Sequence, residues 1–142
     1  MITNISLATV HCLDQAKARD FYVDVLGFEP RVDITAGEGL RWVTASHPSQ
    51  PELQVTFITP GPPLDPESAE FLRRQLEKGD WGGLGLRVDD CRATHKELVA
   101  KGVTFVQEPA DRPYGVEAIM RDNSGNWIVL VEPKEFTAED MA

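Results

Sequence analysis

The chain has 142 residues, enough for one domain or for two small modules that share a core. With 42% hydrophobic and 26% charged residues the composition is globular and argues against disorder. The formal charge of −9 argues against nucleic acid and against an anionic membrane surface, because both need clustered Lys and Arg. No apolar run approaches the ~20 residues needed to span a bilayer, and Met1–Asn4 lacks the basic and apolar regions of a signal peptide. A cytoplasmic protein is the expectation. Cys12 and Cys91 fit no CxxC or zinc spacing and read as small, semi-buried residues at strand-to-helix junctions.

Taken in chain order, Ile5 to Val10 is short and apolar and reads as a strand. Asp14 is an N-cap candidate, and Ala18, Phe21, Tyr22 and Val25 follow at the spacing of an amphipathic helix that Gly27 stops. Three strands are predicted next: Glu29 to Thr35, Leu40 to Ser46 and Leu53 to Thr59. Beyond the Pro60–Pro63 break, Asp65 with Pro66 behind it predicts a connecting helix carried by Phe71, Leu72, Gln75 and Leu76 and ended by Gly79. The pattern then starts again. Gly82 to Val88 reads as a strand, Asp89-Asp90 as an N-cap, and Thr94, Leu98 and Val99 as a helix face ending at Gly102. Val103 to Gln107 is a strand, Glu108-Pro109 a turn, and Val116 to Arg121 and Trp127 to Val131 are strands joined by a tight turn at Asp122–Gly125.

Both halves read β-α-β-β-β, with a repeat of about 75 residues. Asp14 matches Asp89 or Asp90, Leu26-Gly27-Phe28 matches Lys101-Gly102-Val103, and Thr59-Pro60 matches Glu132-Pro133. The expected division is a first module over 1–61, a connecting loop and helix over 62–80, a second module over 81–134 and an acidic, frayed tail over 135–142. A module of that size buries too little core alone, so the two must pack together.

Three segments carry a resemblance. Asp14 to Phe28, DQAKARDFYVDVLGF, resembles the first-helix signature of the vicinal oxygen chelate superfamily, which includes glyoxalases, bleomycin-resistance proteins and extradiol dioxygenases. VDDCRATHKELVAKGVTF resembles the second-module helix, and YGVEAIMRDNSGNWIVLVEP resembles the C-terminal hairpin. The resemblance implies an α+β fold of two βαβββ modules, each a curled mixed sheet forming half of an open barrel around a concave cleft. It also implies a homodimer, with modules paired either within a chain or between chains.

Enzymes of that superfamily hold a divalent metal with His and Glu from the first and last strand of each module. The matching positions here are Leu7, Thr56, Gly83 and Val129, none a usable strong ligand. A two-residue slip recovers only His11, and Glu52 and Glu132 are the only nearby carboxylates on the end strands. Absence of the metal site, and of any other cofactor, is the expectation. Glyoxalase and dioxygenase activities depend on that metal, so both are disfavoured.

The candidate ligand-binding residues are His11, Thr56, Arg87, Tyr114 and Trp127. His11 shares strand parity with Leu7 and should face the cleft, as an acid, a base or an anchor for an acidic group, or else as a rim histidine bonded to backbone. Arg87 shares parity with Gly83 and has either a ligand or an internal partner such as Glu117. Gly83 and Gly85 leave space on the cleft floor. Trp81, Trp127 and Trp42 are either cleft walls or core, and Tyr114 sits where its hydroxyl could close the cleft. Arg121 is expected to pair with Asp122 or backbone, and His47 and His95 to lie on loop and helix surfaces. The leading functional expectation is metal-independent binding of a small organic molecule. The alternatives are a divergent enzyme, metal-dependent or using His11 for acid–base chemistry, and a partner-binding role through the Asp65–Gly79 helix.

Overall fold

The computed structural model describes residues 1–142. The first module comprises β1 (Leu7–His11), α1 (Gln15–Asp20, continued by a π-helical turn over Phe21–Val25), β2 (Glu29–Ala36), β3 (Leu40–Ser46) and β4 (Gln54–Ile58). The connector is α2 (Pro66–Glu77). The second module comprises β5 (Trp81–Arg87), α3 (Cys91–Ala100), β6 (Phe105–Arg112), β7 (Gly115–Arg121) and β8 (Asn126–Pro133). The two sheets are ordered β1-β4-β3-β2 and β5-β8-β7-β6, the same topology twice, and neither closes into a barrel. In each module the first strand runs parallel to the last and the other neighbours are antiparallel.

The helix starts follow their capping residues. Asp14, Asp65 and Asp90 each accept a backbone N–H three residues on, from Lys17, Ser68 and Ala93, which satisfies one of the orphan donors of each first turn. Pro66 takes the first position of α2, where its missing N–H costs nothing. Leu72 and Leu76 are buried as expected, whereas Phe71 lies half exposed, because Ala69 rather than Phe71 completes the inner stripe of α2. The expected turn at Glu108-Pro109 does not form. β6 runs on to Arg112 and absorbs the segment as a register shift between Gln107 and Ala110, so the proline sits where the ladder is already interrupted. The tail is not wholly irregular: Ala138–Met141 forms a 3-10 turn whose start is closed by reciprocal bonds between Thr137 and Asp140.

One core serves both modules. Val10, Tyr22, Val43, Ala45, Val55 and Phe57 from the first meet Cys91, Leu98, Ala118, Met120, Ile128 and Leu130 from the second. Each fully buried large side chain contributes about 1.5–3 kcal/mol. Alternation along the strands therefore gives each sheet a core-facing side, on which the helices pack, and a helix-free side.

Candidate functional site

On the first sheet the helix-free side carries Leu7, Thr9 and His11 from β1, Gln54, Thr56 and Ile58 from β4, Trp42, Thr44 and Ser46 from β3, and Val32 and Ile34 from β2. Thr9, Thr56, Thr44 and Val32 line up as one row across the four strands. Thr56 is fully buried and its hydroxyl donates to the Val43 carbonyl at 3.4 Å. Thr44 donates to Gln54 at 2.6 Å and accepts from the Val32 N–H. The floor of this sheet is thus a satisfied hydroxyl row, flanked by apolar side chains such as Ile34 at 56% exposure. Trp42, whose facing parity alone left open, pairs with Ile34 on this side.

The second sheet departs from simple parity. The β5–β8 register shifts between Gly82 and Gly85. Gly82 therefore pairs with Trp127 on the helix-free side, and a side chain at Gly83 would point inward, onto the Trp127 carbonyl at 2.9 Å and the Asn126 side chain. The glycines that leave space on the helix-free side are thus Gly82 and Gly85 rather than the expected Gly83 and Gly85: a bulge inserts a residue and reverses the facing of what precedes it. Beyond the bulge, Arg87, Val131 and Glu117 share one row, and Gly85, Val129 and Ile119 the next.

Arg87 does not pair with Glu117. Glu117, 15% exposed, accepts from the Tyr114 hydroxyl, takes a long bond from Gln107 at 3.4 Å and faces Arg112 at 3.6 Å. Val131 separates it from Arg87 by a full strand spacing, and Arg112, at the β6–β7 turn, reaches it first. The Tyr114 hydroxyl is therefore committed to Glu117, which raises its pKa by hydrogen bonding to the carboxylate. Trp127, 40% exposed, stands free on this side. Arg121 pairs with neither Asp122 nor backbone; its Nε is buried without a partner, and its side chain lies against Gly79.

His11 ends β1 in a recess of about 420 Å³ shared with Leu64, Glu67, Phe71, Arg74 and Trp81. Its Nδ1 is buried without a hydrogen-bond partner. Burial lowers the imidazole pKa, opposed by the neighbouring Ile58 carbonyl. His11 thus lies under α2 near the start of β5, whereas Arg87 ends β5 beside a different cavity of about 770 Å³. The five candidate residues do not converge within one chain: Thr56 belongs to one sheet, Tyr114 and Trp127 to the other, and His11 and Arg87 border separate recesses. Glu117, expected only as a partner for Arg87, is instead the centre of this polar cluster, and its signal in the sequence is a lone carboxylate in an apolar strand. His47 lies in the β3–β4 loop, and His95 packs edge-on to Phe105 at 4.6 Å.

Two mixed sheets of identical topology, each with one helix-free side, define a paired βαβββ architecture. The chain belongs to the Glyoxalase/Bleomycin resistance protein/Dioxygenase superfamily, whose family model matches residues 5–130. The crystal structure of UcmS2 is similar at 44% identity and a TM-score of 0.84, covering 93% of this chain and 99% of that one. TnmS3, described as an antibiotic binding protein from Streptomyces sp. CB03234, is similar at 30% identity and a TM-score of 0.73, covering 94% and 98%. The uncharacterized protein YurT of Bacillus subtilis (strain 168) is 27% identical over 128 residues, 90% of this chain and 98% of that protein.

The superfamily's enzymes imply a divalent metal, and the residues here do not fit one. Leu7, Thr56 and Val129 occupy three of the four positions on the helix-free sides, and the bulge leaves glycine at the fourth in either register. No imidazole or carboxylate stands at any of them, and no group of three or more His, Cys, Asp or Glu residues is placed to hold a metal ion. No helix is long and apolar enough to cross a membrane.

Proposed function

We propose that this chain is a metal-independent binding protein that sequesters a small organic molecule between helix-free sheet sides. The carrying observation is the chemistry of those sides: apolar and hydroxyl side chains with the free ring of Trp127, and no donor set at the metal positions. Such surfaces, mostly apolar with a few polar anchors, suit an organic ligand. The similarity to an antibiotic binding protein supports the same reading. The buried Thr56 underlies the floor, Trp127 forms a wall, and Tyr114 is a polar group beside the ligand. A homodimer belongs to the proposal, because Leu7, Ile34 and Trp127 stay 42%, 56% and 40% exposed in the single chain and a second copy would cover them. A cytoplasmic setting fits two buried, unpaired thiols.

The test is tryptophan-fluorescence titration with bleomycin and a panel of aromatic antibiotics, alongside light scattering and elemental analysis. Saturable binding by a dimer, weakened about tenfold or more in Trp127→Ala, is expected. Stoichiometric metal, with turnover abolished by chelation, would overturn the reading. A second reading, acid–base catalysis by His11, has its unpartnered Nδ1 in favour; it requires turnover that His11→Gln removes.

A further inference from the structure

Two seams join the modules, and the repeat of about 75 residues relates them. Counted from the caps Asp14 and Asp90, Tyr22 corresponds to the buried Leu98, the π-helical turn accounting for one extra residue in the first helix, and counted from the ends of β7 and β3, Asp122 corresponds to His47. At the first seam Tyr22 is fully buried, its ring packs against Phe28 and Phe57 at 5.6 and 5.0 Å, and its hydroxyl donates to Asp122 at 2.8 Å. At the second seam both equivalents, Leu98 and His47, border the cavity of about 770 Å³, and Glu97, next to Leu98, lies at its rim. Where the first seam holds an aromatic ring, the second holds the smaller Leu98 and leaves space walled also by Leu26, Phe28, Leu84 and Leu86. The apolar walls of this cavity come from the core-facing side of the sheets, away from Thr56 and Trp127, with Gly85 and Arg87 at its edge.

We propose that this second seam is a distinct binding site for a small ring-bearing amine, its apolar ring in the space that Tyr22 fills at the other seam and its ammonium at Glu97. The volume falls within the roughly 300–1,000 Å³ of small-molecule sites. Hydrophobic residues make up 11 of the 19 that line it, which selects an apolar body over a sugar or a phosphate. The charged rim selects the sign: Asp89 and Glu97 face one guanidinium, that of Arg87. Glu97 is held only by Lys101, at 3.5 Å one helical turn on, and an exposed pair of that kind exchanges readily. Asp89 makes no ion pair. His47 accepts the Ser49 N–H on Nδ1 at 3.1 Å, which in the neutral ring leaves the proton on the other nitrogen, a donor for a hydroxyl or ether on the ligand.

The probes are phenethylamine and phenylacetate, which share a ring and differ in charge, followed by amide shifts in ¹⁵N-labelled full-length protein. Phenethylamine should shift His47, Leu84 and Leu98 saturably, and phenylacetate should bind about tenfold more weakly. Glu97→Gln, an exposed change that leaves the core intact, should erase the preference between the two. Leu98→Tyr, rebuilding the first seam's ring, should block both, while Trp127→Ala should alter neither. Shifts confined to the strands of Thr56 and Trp127, equal binding of both probes, or no saturable shift would each overturn the proposal. The sheet-side reading stands or falls separately, on Trp127.

Discussion

The two seams between the modules are built from equivalent positions and finished differently. At one, Asp122 accepts the N–H groups of Ser124 and Asn126 on one oxygen and the Tyr22 hydroxyl and Asn126 amide on the other. Asn126 also donates to the His11 carbonyl at 2.7 Å, so turn, helix and strand are tied through a fully satisfied carboxylate. Gly125 completes it at φ +96, where any side chain would strike the Leu76 carbonyl of α2. Burial, then the Asp122 charge, raises the Tyr22 pKa well above its ordinary value and keeps the phenol a donor. At the other seam Leu98 and His47 border open space. A duplicated module supplies every contact twice, but one locked seam suffices to hold the pair together. The second copy is released from packing and free to take another role.

The difference is testable by mutation. Tyr22→Ala should have the largest effect, about 3–5 kcal/mol, because it opens a cavity and strips a partner from a buried carboxylate. Tyr22→Phe keeps the ring and should cost about 1.5–3 kcal/mol, the range for a hydrogen bond to a charged group. Truncation at Glu97 should leave urea midpoints nearly unchanged. A His47→Ala variant, changed at the counterpart of Asp122, as unstable as Tyr22→Ala would mean that both seams are locked.

The His11 recess at the first seam gives a smaller, pH-dependent effect. Its folded pKa lies below the ordinary 6.5, so the unfolded chain takes up the proton first as pH falls. The stability supplied by neutral His11 is complete above pH 6.5 and is lost progressively as pH drops through the folded value. Glu67 and Arg74, of opposite charge, share the recess. His11→Gln should flatten this part of the acid limb in urea melts between pH 7.5 and 5, and an unaltered limb would sink the assignment. Smallest of all is the exposed cluster in which Asp33 meets Arg19 at 2.6 Å and Arg41 at 2.8 Å. Arg41→Ala should leave the melting temperature unchanged, since solvent screens such pairs.

Periodicity and capping residues in the sequence were enough to determine the elements, their order and their repetition. Asp14, Asp65 and Asp90 cap by local geometry, and an apolar residue at every second strand position declares a core side whatever it packs on. The facing of Leu7, Thr56 and Val129 followed from the same alternation. Non-local partners were beyond reach. The β5 bulge exchanges Gly82 for Gly83 because the ladder to β8 slips; glycines inside a strand signal that a bulge is permitted, but not at which residue the ladder slips. Arg87 and Glu117 were each legible as polar groups on one side, but Arg112 takes Glu117 because a two-residue turn after β6 brings it within 3.6 Å. The repeat itself was visible in the sequence. Only the tertiary structure decided that one of its seams is filled and the other open, because that depends on which side chain meets which turn across the whole chain.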